Sequence, residues 1–265
     1  MASQTIALRA RRGSPSDDEA AWYELHAAIR AEELGMESWE PALRTRILRQ
    51  QLDAQRQSYR ERFPAADERL ILRGDTPIGW LIVNRSGSEL RLVDIALLPG
   101  ARRQGIGTLI LRDLQQEAAI EERPMRLEVL RGNVRARAFY ERLGFRTTGE
   151  SDTHAAMAWR AAPLPAEPAA FRAHLGTALR IDLADGHVPL RIAEVTDRRS
   201  RRGMDRFSVF LHGPASPMLP QGSYLLHHDA LGSFVLFIVP VIGSNAERIV
   251  YEACFSRPEA GAPAP

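Results

Sequence analysis

Along the first 160 residues two rhythms of apolar and polar positions take turns. Ile6 to Ala10 reads as an opening strand. The stretch DDEAAWYELHAAIR that follows Ser16 has helical spacing and holds it to about Gly35. Ser16 with Glu19 three positions on has the spacing of a capping box. From Ser38 a second helix is predicted, with Leu43, Ile47, Leu48, Leu52 and Tyr59 at helical intervals and Pro64 as its stop. RLILR, a Gly74–Asp75 turn and PIGWLIVN predict a hairpin, and ELRLVDIALL a longer strand ending at Pro99. At Gly105 the period changes again, and Ile106, Leu109, Ile110, Leu114 and Ala118 share one helical face up to about Ile120. MRLEVL is a strand, Val134 to Leu143 a short helix, and FRTTGE and HAAMAWR two closing strands. Helices and strands taking turns in this way define an α/β (α+β) domain over residues 1–160.

AAPLPAEPAA, residues 161–170, has three prolines among alanines and no apolar period, the composition of a linker. Beyond it ALRIDL, VPLRIAEVT, RFSVFLH, SYLLHH, SFVLFIVP and RIVYEACF are short strands set apart by Gly, Pro and Asp turns. Residues 171–257 are therefore expected to form a small all-β barrel or sandwich. The tail from 258 to 265, PEAGAPAP with its first proline, is expected to be disordered.

Composition adds exclusions. The apolar and charged fractions, 45% and 26%, are those of a globular protein. No apolar run reaches the ~20 residues that span a membrane, and MASQTIALRARRG lacks the apolar core of a signal peptide, so a cytoplasmic location is expected. The single Cys254 excludes an internal disulfide and a multi-thiolate metal site. Every basic residue is arginine. That lifts the isoelectric point to about 9.0 although the net charge is only +2. Arginine usage of this kind fits the codon bias of a GC-rich genome, and no nucleic-acid partner is expected from it. A chain without lysine offers no lysine side chain to acylating chemistry.

The candidate chemistry begins at LLPGARRQGIGTLIL. A strand, then Arg102-Arg103-Gln104-Gly105-Ile106-Gly107, then a helix describes an anion site. Glycines admit close backbone approach, and the first helical N–H groups lack intrahelical acceptors. A plain strand-to-helix turn uses the same residues. The G-K-[ST] ending of a Walker loop is absent, and Ile110 stands where a dinucleotide fingerprint needs its third glycine. Downstream, RGNVRARAFYERLGF sets Asn133, Ala136, Tyr140, Gly144 and Phe145 around one short helix.

Together the two motifs resemble the GNAT superfamily of N-acetyltransferases over roughly residues 5–160. Arg102, Gly105 and Gly107 match its R/Q-x-x-G-x-G/A loop, and Asn133 to Phe145 match N-x-x-A-x-x-x-Y-x-x-x-G-F without a gap. The resemblance implies a mixed sheet flanked by helices and acetyl-CoA as cosubstrate, with no metal. It implies that backbone amides of Gln104, Gly105, Ile106, Gly107 and Thr108, helped by Arg102 and Arg103, hold the coenzyme A pyrophosphate. Leu97 would pair through its backbone with the pantetheine arm where its strand and MRLEVL splay apart. Asn133 would contact the cofactor near the thioester, and Tyr140 would protonate the departing thiolate.

The residues themselves leave the base open. Asp94 is the one acid inside an apolar strand. It serves as the base, directly or through water, binds a cationic substrate, or pairs with Arg91 or Arg126. Glu128 is the next candidate, set against a solvated strand face. The first two helices line the acceptor cleft in this superfamily, which points to Glu33, Tyr59 and Phe63 as walls or as packing residues. The acceptor, a small-molecule or peptide amine, is not legible.

In the second module His174, His187, His212, His227 and His228 read as solvated or turn residues; a metal site would need them to converge with a carboxylate such as Asp229. DRRSRRG, residues 197–203, reads as an exposed charged turn. The module resembles a small domain family of unknown function that occurs near phage-tail-collar-like proteins in bacterial genomes. That resemblance adds a second function class to the acyltransferase, a scaffold or assembly protein that binds a protein partner through the β module.

Overall fold

The structure is a computed structural model that describes residues 6–10, 15–36, 38–183, 186–198, 204–245 and 247–258. The chain divides into two compact units, Met1–Leu111 with Arg123–Trp159, and Arg112–Glu122 with Arg160–Pro265.

The first unit runs β1 (Ile6–Ala10), α1 (Pro15–Glu33), α2 (Pro41–Arg62), β2 (Ala66–Arg73), β3 (Thr76–Asn84), β4 (Leu90–Leu97), a 3₁₀ turn (Pro99–Ala101) and α3 (Ile106–Ile120), which continues into the second unit. It closes with β5 (Met125–Leu130), α4 (Val134–Arg142), β6 (Arg146–Glu150) and β7 (His154–Trp159). Two helix starts differ from the sequence reading. α1 begins at Pro15, ahead of Ser16, and Glu19 forms an ion pair at 2.7 Å with Arg56 of α2. α2 begins at Pro41, not Ser38, because Glu40 caps it: its carboxylate accepts the N–H groups of Ala42 at 3.0 Å and Leu43 at 2.7 Å. Proline fits the first helical position, where no N–H is needed.

The seven strands form one mixed sheet in the order β1-β2-β3-β4-β5-β7-β6. Only β4 and β5 run parallel, and their pairing covers Leu90–Met125, Arg91–Arg126 and Leu92–Leu127 before it stops. β4 continues against β3 as far as Leu97 opposite Gly79, and β5 continues against β7 as far as Leu130 opposite His154. The two strands thus part at their C-terminal ends.

A bulge sits at the parting point. Leu92 opposes Val83 and Asp94 opposes Ile82, so Val93 is an extra residue in β4. Strict alternation would put residue 94 on the face of Leu92; the extra residue moves it to the face of Ile82 and Trp80. That face packs α1 and α2. Trp22, Leu25, Ile29, Leu70, Leu72, Trp80 and Ile82 form its buried core. Gly79 is required by the same crowding, because a Cβ there would run into the Ala96 carbonyl oxygen.

The second unit is a closed, all-antiparallel barrel, which resolves the expected choice between barrel and sandwich. Its strands are β8 (Ala178–Leu183), β9 (Gly186–Arg198), β10 (Met204–Pro214), β11 (Gly222–His228), β12 (Gly232–Val241) and β13 (Arg248–Pro258), ordered β10-β13-β12-β11-β8-β9. Alternate residues fill the interior, with Phe207, Val209, Leu211, Phe234, Leu236 and Ile238 all buried. A short helix, α5 (Pro168–Arg172), starts inside the stretch read as linker. Its Phe171 is fully buried, with ring centroids 6.2 Å from Phe234 and 5.5 Å from Phe255. The Ala162 N–H donates to the Ser233 carbonyl at 2.6 Å, so this stretch is tied to the barrel that it precedes. The tail residues 259–265 lie outside the described residues.

Candidate active site

β4 leads through the 3₁₀ turn into the glycine loop. Arg103 and Gly105 both have left-handed backbone, with φ of 60° and 81°. The Gly105 carbonyl takes the first helical bond of α3, from the Leu109 N–H at 2.9 Å. The preceding amides of Ile106, Gly107 and Thr108 belong to the helix turn that has no intrahelical acceptors. Open space surrounds the position of a Gly105 Cβ, whereas one on Gly107 would lie 3.4 Å from the Phe139 ring. Gly105 therefore answers a backbone demand, and Gly107 answers close packing of α3 against α4.

Arg102 is turned inward. Its Nε donates to the Leu97 carbonyl at 2.9 Å and its Nη1 reaches Glu32 at 3.3 Å. These bonds brace the loop against the end of β4. Arg103 and Thr108 are exposed, and Gln104 donates to the Gly100 carbonyl at 2.6 Å. Asn133 is exposed and caps α4, its side chain accepting the Ala136 N–H at 3.0 Å. Capping explains an asparagine at this position without a ligand.

Asp94 stands at the centre of a polar cluster. Its Oδ2 accepts from Trp80 Nε1 at 3.0 Å, Gln55 Nε2 at 3.3 Å and the Tyr59 hydroxyl at 3.4 Å. Gln55 Nε2 also donates to the Tyr59 hydroxyl at 2.9 Å. Asp94 keeps some exposed surface, yet burial of the carboxyl dominates and raises its pKa. The Trp80 and Tyr59 donors, the Ile95 N–H and the charge of Arg30 pull the other way. Pairing with Arg91 or Arg126 does not occur. Arg91 binds Glu89 at 3.3 Å and Glu128 at 2.7 Å, and Arg126 binds Glu89 at 2.8 Å. Glu128, also bound by Arg62 at 3.3 Å, is an exposed ion-pair residue.

Tyr140 of α4 is 8% exposed, packed between Phe139 and Phe145 with ring centroids 5.4 and 5.8 Å away. Its pKa is raised, first by burial and then by the negative charge of Asp94, which places the two groups within electrostatic reach. A phenol held neutral in this way stays a hydrogen-bond donor across the neutral range.

Of the three wall residues, Tyr59 joins the cluster. Phe63 caps the end of α2, its ring beneath the guanidinium groups of Arg62 at 5.3 Å and Arg91 at 5.4 Å. The Glu33 side chain lies outside the described residues. Sequence reasoning missed Gln55, Trp80, His26 and Arg30. His26 is 1% exposed and lies over Trp80 with ring centroids 6.2 Å apart. Burial, then the charge of Arg30, lowers its pKa to about 4 against a hydrogen bond with Gln55 that raises it. The signal was present: His26 falls between Trp22 and Ile29 on the buried face of α1, and Gln55 falls between Leu52 and Tyr59 on that of α2.

Two of the barrel histidines, His228 and His227, have hydrogen-bond partners within the barrel unit. His228 Nδ1 accepts the N–H groups of Ala230 and Leu231 at 3.2 and 3.1 Å, and its Nε2 lies 2.9 Å from Thr177 Oγ1. His227 meets Ser233 Oγ at 2.7 Å and Asp182 at 3.4 Å, and burial lowers its pKa to about 4. Among the described residues no three His, Cys, Asp or Glu side chains converge as a metal site would need. Residues 199–203 of the arginine-rich turn lie outside the described residues. Among the described residues no helix is long and apolar enough to cross a membrane.

A parted parallel pair, a glycine loop opening a helix and a tyrosine on the following helix define an acetyltransferase fold. Residues 22–145 match the Acetyltransferase (GNAT) family. Residues 166–255 match a Domain of unknown function (DUF6916). Among solved structures, the chain is similar to a PaiA N-acetyltransferase from Thermoplasma acidophilum in complex with coenzyme A. The two are 15% identical, the TM-score is 0.46, and the match covers 59% of this chain and 99% of that one. An acetyltransferase from Thermus thermophilus matches at 19% identity and TM-score 0.44, over 60% of this chain and 99% of that one. The ribosomal-protein-S18-alanine N-acetyltransferase from Escherichia coli matches at 19% identity and TM-score 0.41, over 58% of this chain and 93% of that one. No curated protein matches the chain.

Proposed function

We propose that the N-terminal domain, residues 1–160, transfers an acetyl group from acetyl-CoA to an amine by direct attack on the thioester. The observation that carries this reading is the parting of β4 and β5 after Leu92, with the glycine loop at the end of β4 and Asp94 at its bulge. The amides from Gln104 to Thr108 would hold the pyrophosphate. Arg102 serves as a brace, since its guanidinium is bound to Leu97 and Glu32. Arg103, exposed on the loop, is the better placed of the two to meet a phosphate from solvent. Asn133 would act through the α4 terminus that it caps.

In the step itself Asp94 takes a proton from the acceptor ammonium, and the nitrogen lone pair attacks the thioester carbonyl. The carbon–sulfur bond breaks, the thiolate receives a proton donated by Tyr140, and the second proton that the attacking nitrogen sheds on becoming an amide restores the phenol. Carboxyl burial supports the first role, because a carboxylate with a raised pKa is a better proton acceptor. The acceptor is a small-molecule or peptide amine, and the reading places the enzyme in the cytoplasm. The barrel would serve targeting or partner binding.

The test is a thermal-shift and mass-spectrometric assay of the full chain with acetyl-CoA and an amine panel. Binding to the native state alone raises apparent stability, so the expected result is a saturable upward shift and an acetylated product on at least one amine. A shift without any turnover would favour the scaffold reading, and no shift at millimolar acetyl-CoA would overturn both the cofactor and the activity.

A further inference from the structure

The side-chain donors to the acid at the β4 bulge all reach the same oxygen, and the backbone adds the Ile95 N–H. Three side-chain donors on two elements, Trp80 Nε1 on β3, Gln55 Nε2 and the Tyr59 hydroxyl on α2, all end on Oδ2, at 3.0, 3.3 and 3.4 Å. Among the described residues no side-chain donor ends on Oδ1. From the Asp94 role proposed above, we infer that Trp80, Gln55 and Tyr59 are positioning residues that fix the Asp94 carboxylate by Oδ2 and leave Oδ1 to take the proton of the incoming amine.

The physical case rests on geometry. A carboxylate on a strand has free rotation about its terminal torsion, which is broad for aspartate. Donors converging on one oxygen lock that torsion and leave the second oxygen facing one direction. The donors are themselves fixed. Trp80 is 2% exposed and its ring packs on Trp22 with centroids 5.6 Å apart. Gln55 is held at both ends of its amide: its nitrogen serves Asp94 and Tyr59, and its other end meets His26. His26 with its lowered pKa is neutral near pH 7, so it adds no cation beside the acid. Among the described residues the charged and titratable groups that act on Asp94 are Arg30 from α1, Tyr59 from α2 and Tyr140 from α4, with His26 of α1 behind Gln55 and Trp80.

Donors to the ionised form also lower the pKa of a carboxyl that burial has raised. Removing one must raise it further. This can be read directly, with no acceptor in hand, by the ¹³Cγ shift of Asp94 against pH in the full-length protein labelled on aspartate, the resonance being assigned by its loss in Asp94→Asn. The expected result is a titration above the ordinary aspartate range in the unmodified protein. In Gln55→Leu, Tyr59→Phe and Trp80→Phe it moves up by roughly half to one pH unit each. Gln55 and Tyr59 are only partly buried, so their variants remain informative if Trp80→Phe fails to fold. An unshifted titration in the folded variants would overturn the positioning role. Full acetyl transfer by Asp94→Asn would overturn the base itself and leave the titration result standing, so the two failures are distinguishable.

Discussion

Tyr140 and Gly105 test opposite halves of the site. Tyr140→Phe removes one hydroxyl and keeps the ring between Phe139 and Phe145. Acetyl-CoA affinity is expected to hold while turnover falls on the order of 10²-fold, the size of a general-acid contribution. Weakened binding with unchanged kcat would assign the ring to packing alone. Gly105→Val acts through the backbone: open space surrounds its Cβ, but φ of 81° is strained for a β-branched residue. The loop must unwind, and acetyl-CoA affinity should drop at least tenfold by calorimetry. His26 sets a pH dependence. Its pKa is lowered to about 4 in the folded chain from 6.5. The unfolded chain therefore binds more protons between those values, and the stabilisation, complete above the unfolded pKa, is lost as pH falls towards 4. The loss amounts to about 2 kcal/mol between pH 7 and pH 5. All four tryptophans lie before residue 160, so urea midpoints read by their fluorescence report the first unit. The drop from pH 7 to pH 5 should shrink in His26→Gln, and an equal drop in both proteins would show that His26 does not titrate in this way.

Among the elements, β4 carries the account. Its bulge at Val93 turns Asp94 towards Trp80, and its end must pass Gly79 at a distance that admits no Cβ. Gly79→Ala is expected to cost about 2 kcal/mol or more, because the clash is with backbone that cannot swing aside, and to weaken acetyl-CoA binding as the end of β4 shifts. A variant as stable as the parent by urea denaturation would show that the strand relaxes freely. Much of this element was legible beforehand. The apolar period gave ELRLVDIALL as a strand and Gly105 as the turn into a helix, and Asp94 stood out as an acid among apolar neighbours. The bulge was not legible, since an extra residue leaves the composition of a strand unchanged and shows only in its pairing. For the same reason the face that Asp94 shares with Trp80, and hence the cluster around it, lay beyond a reading of single segments. The role of Asn133 as a cap was missed because the motif around it offered a ligand role first. Helix α5 was missed because one buried residue, Phe171, carries it, and a single apolar position has no period.

For the whole molecule the domain boundary is the open structural proposal. Residues 1–160 contain every strand of the mixed sheet and both cofactor motifs, and a chain cut after Arg160 is expected to bind acetyl-CoA. Arg112–Glu122 of α3 nevertheless groups with the barrel segment. There Gln116 accepts the Leu225 N–H at 2.8 Å and donates to the Ser223 carbonyl at 3.2 Å, and Arg112 meets Asp182 at 3.1 Å. The cut strips these partners, so the shortened chain should unfold at lower urea than the full one, and equal midpoints would show that the bonds carry no stability. Loss of turnover with acetyl-CoA affinity kept would assign the barrel a part in the acceptor site. The central claim is that the glycine loop and the parted strands of the N-terminal domain hold acetyl-CoA. Calorimetric titration of acetyl-CoA into the full-length protein tests it most directly. The account predicts saturable binding at one site per chain, lost in Gly105→Val and kept in Tyr140→Phe; no binding at millimolar acetyl-CoA, or equal binding by the Gly105 variant, would contradict it.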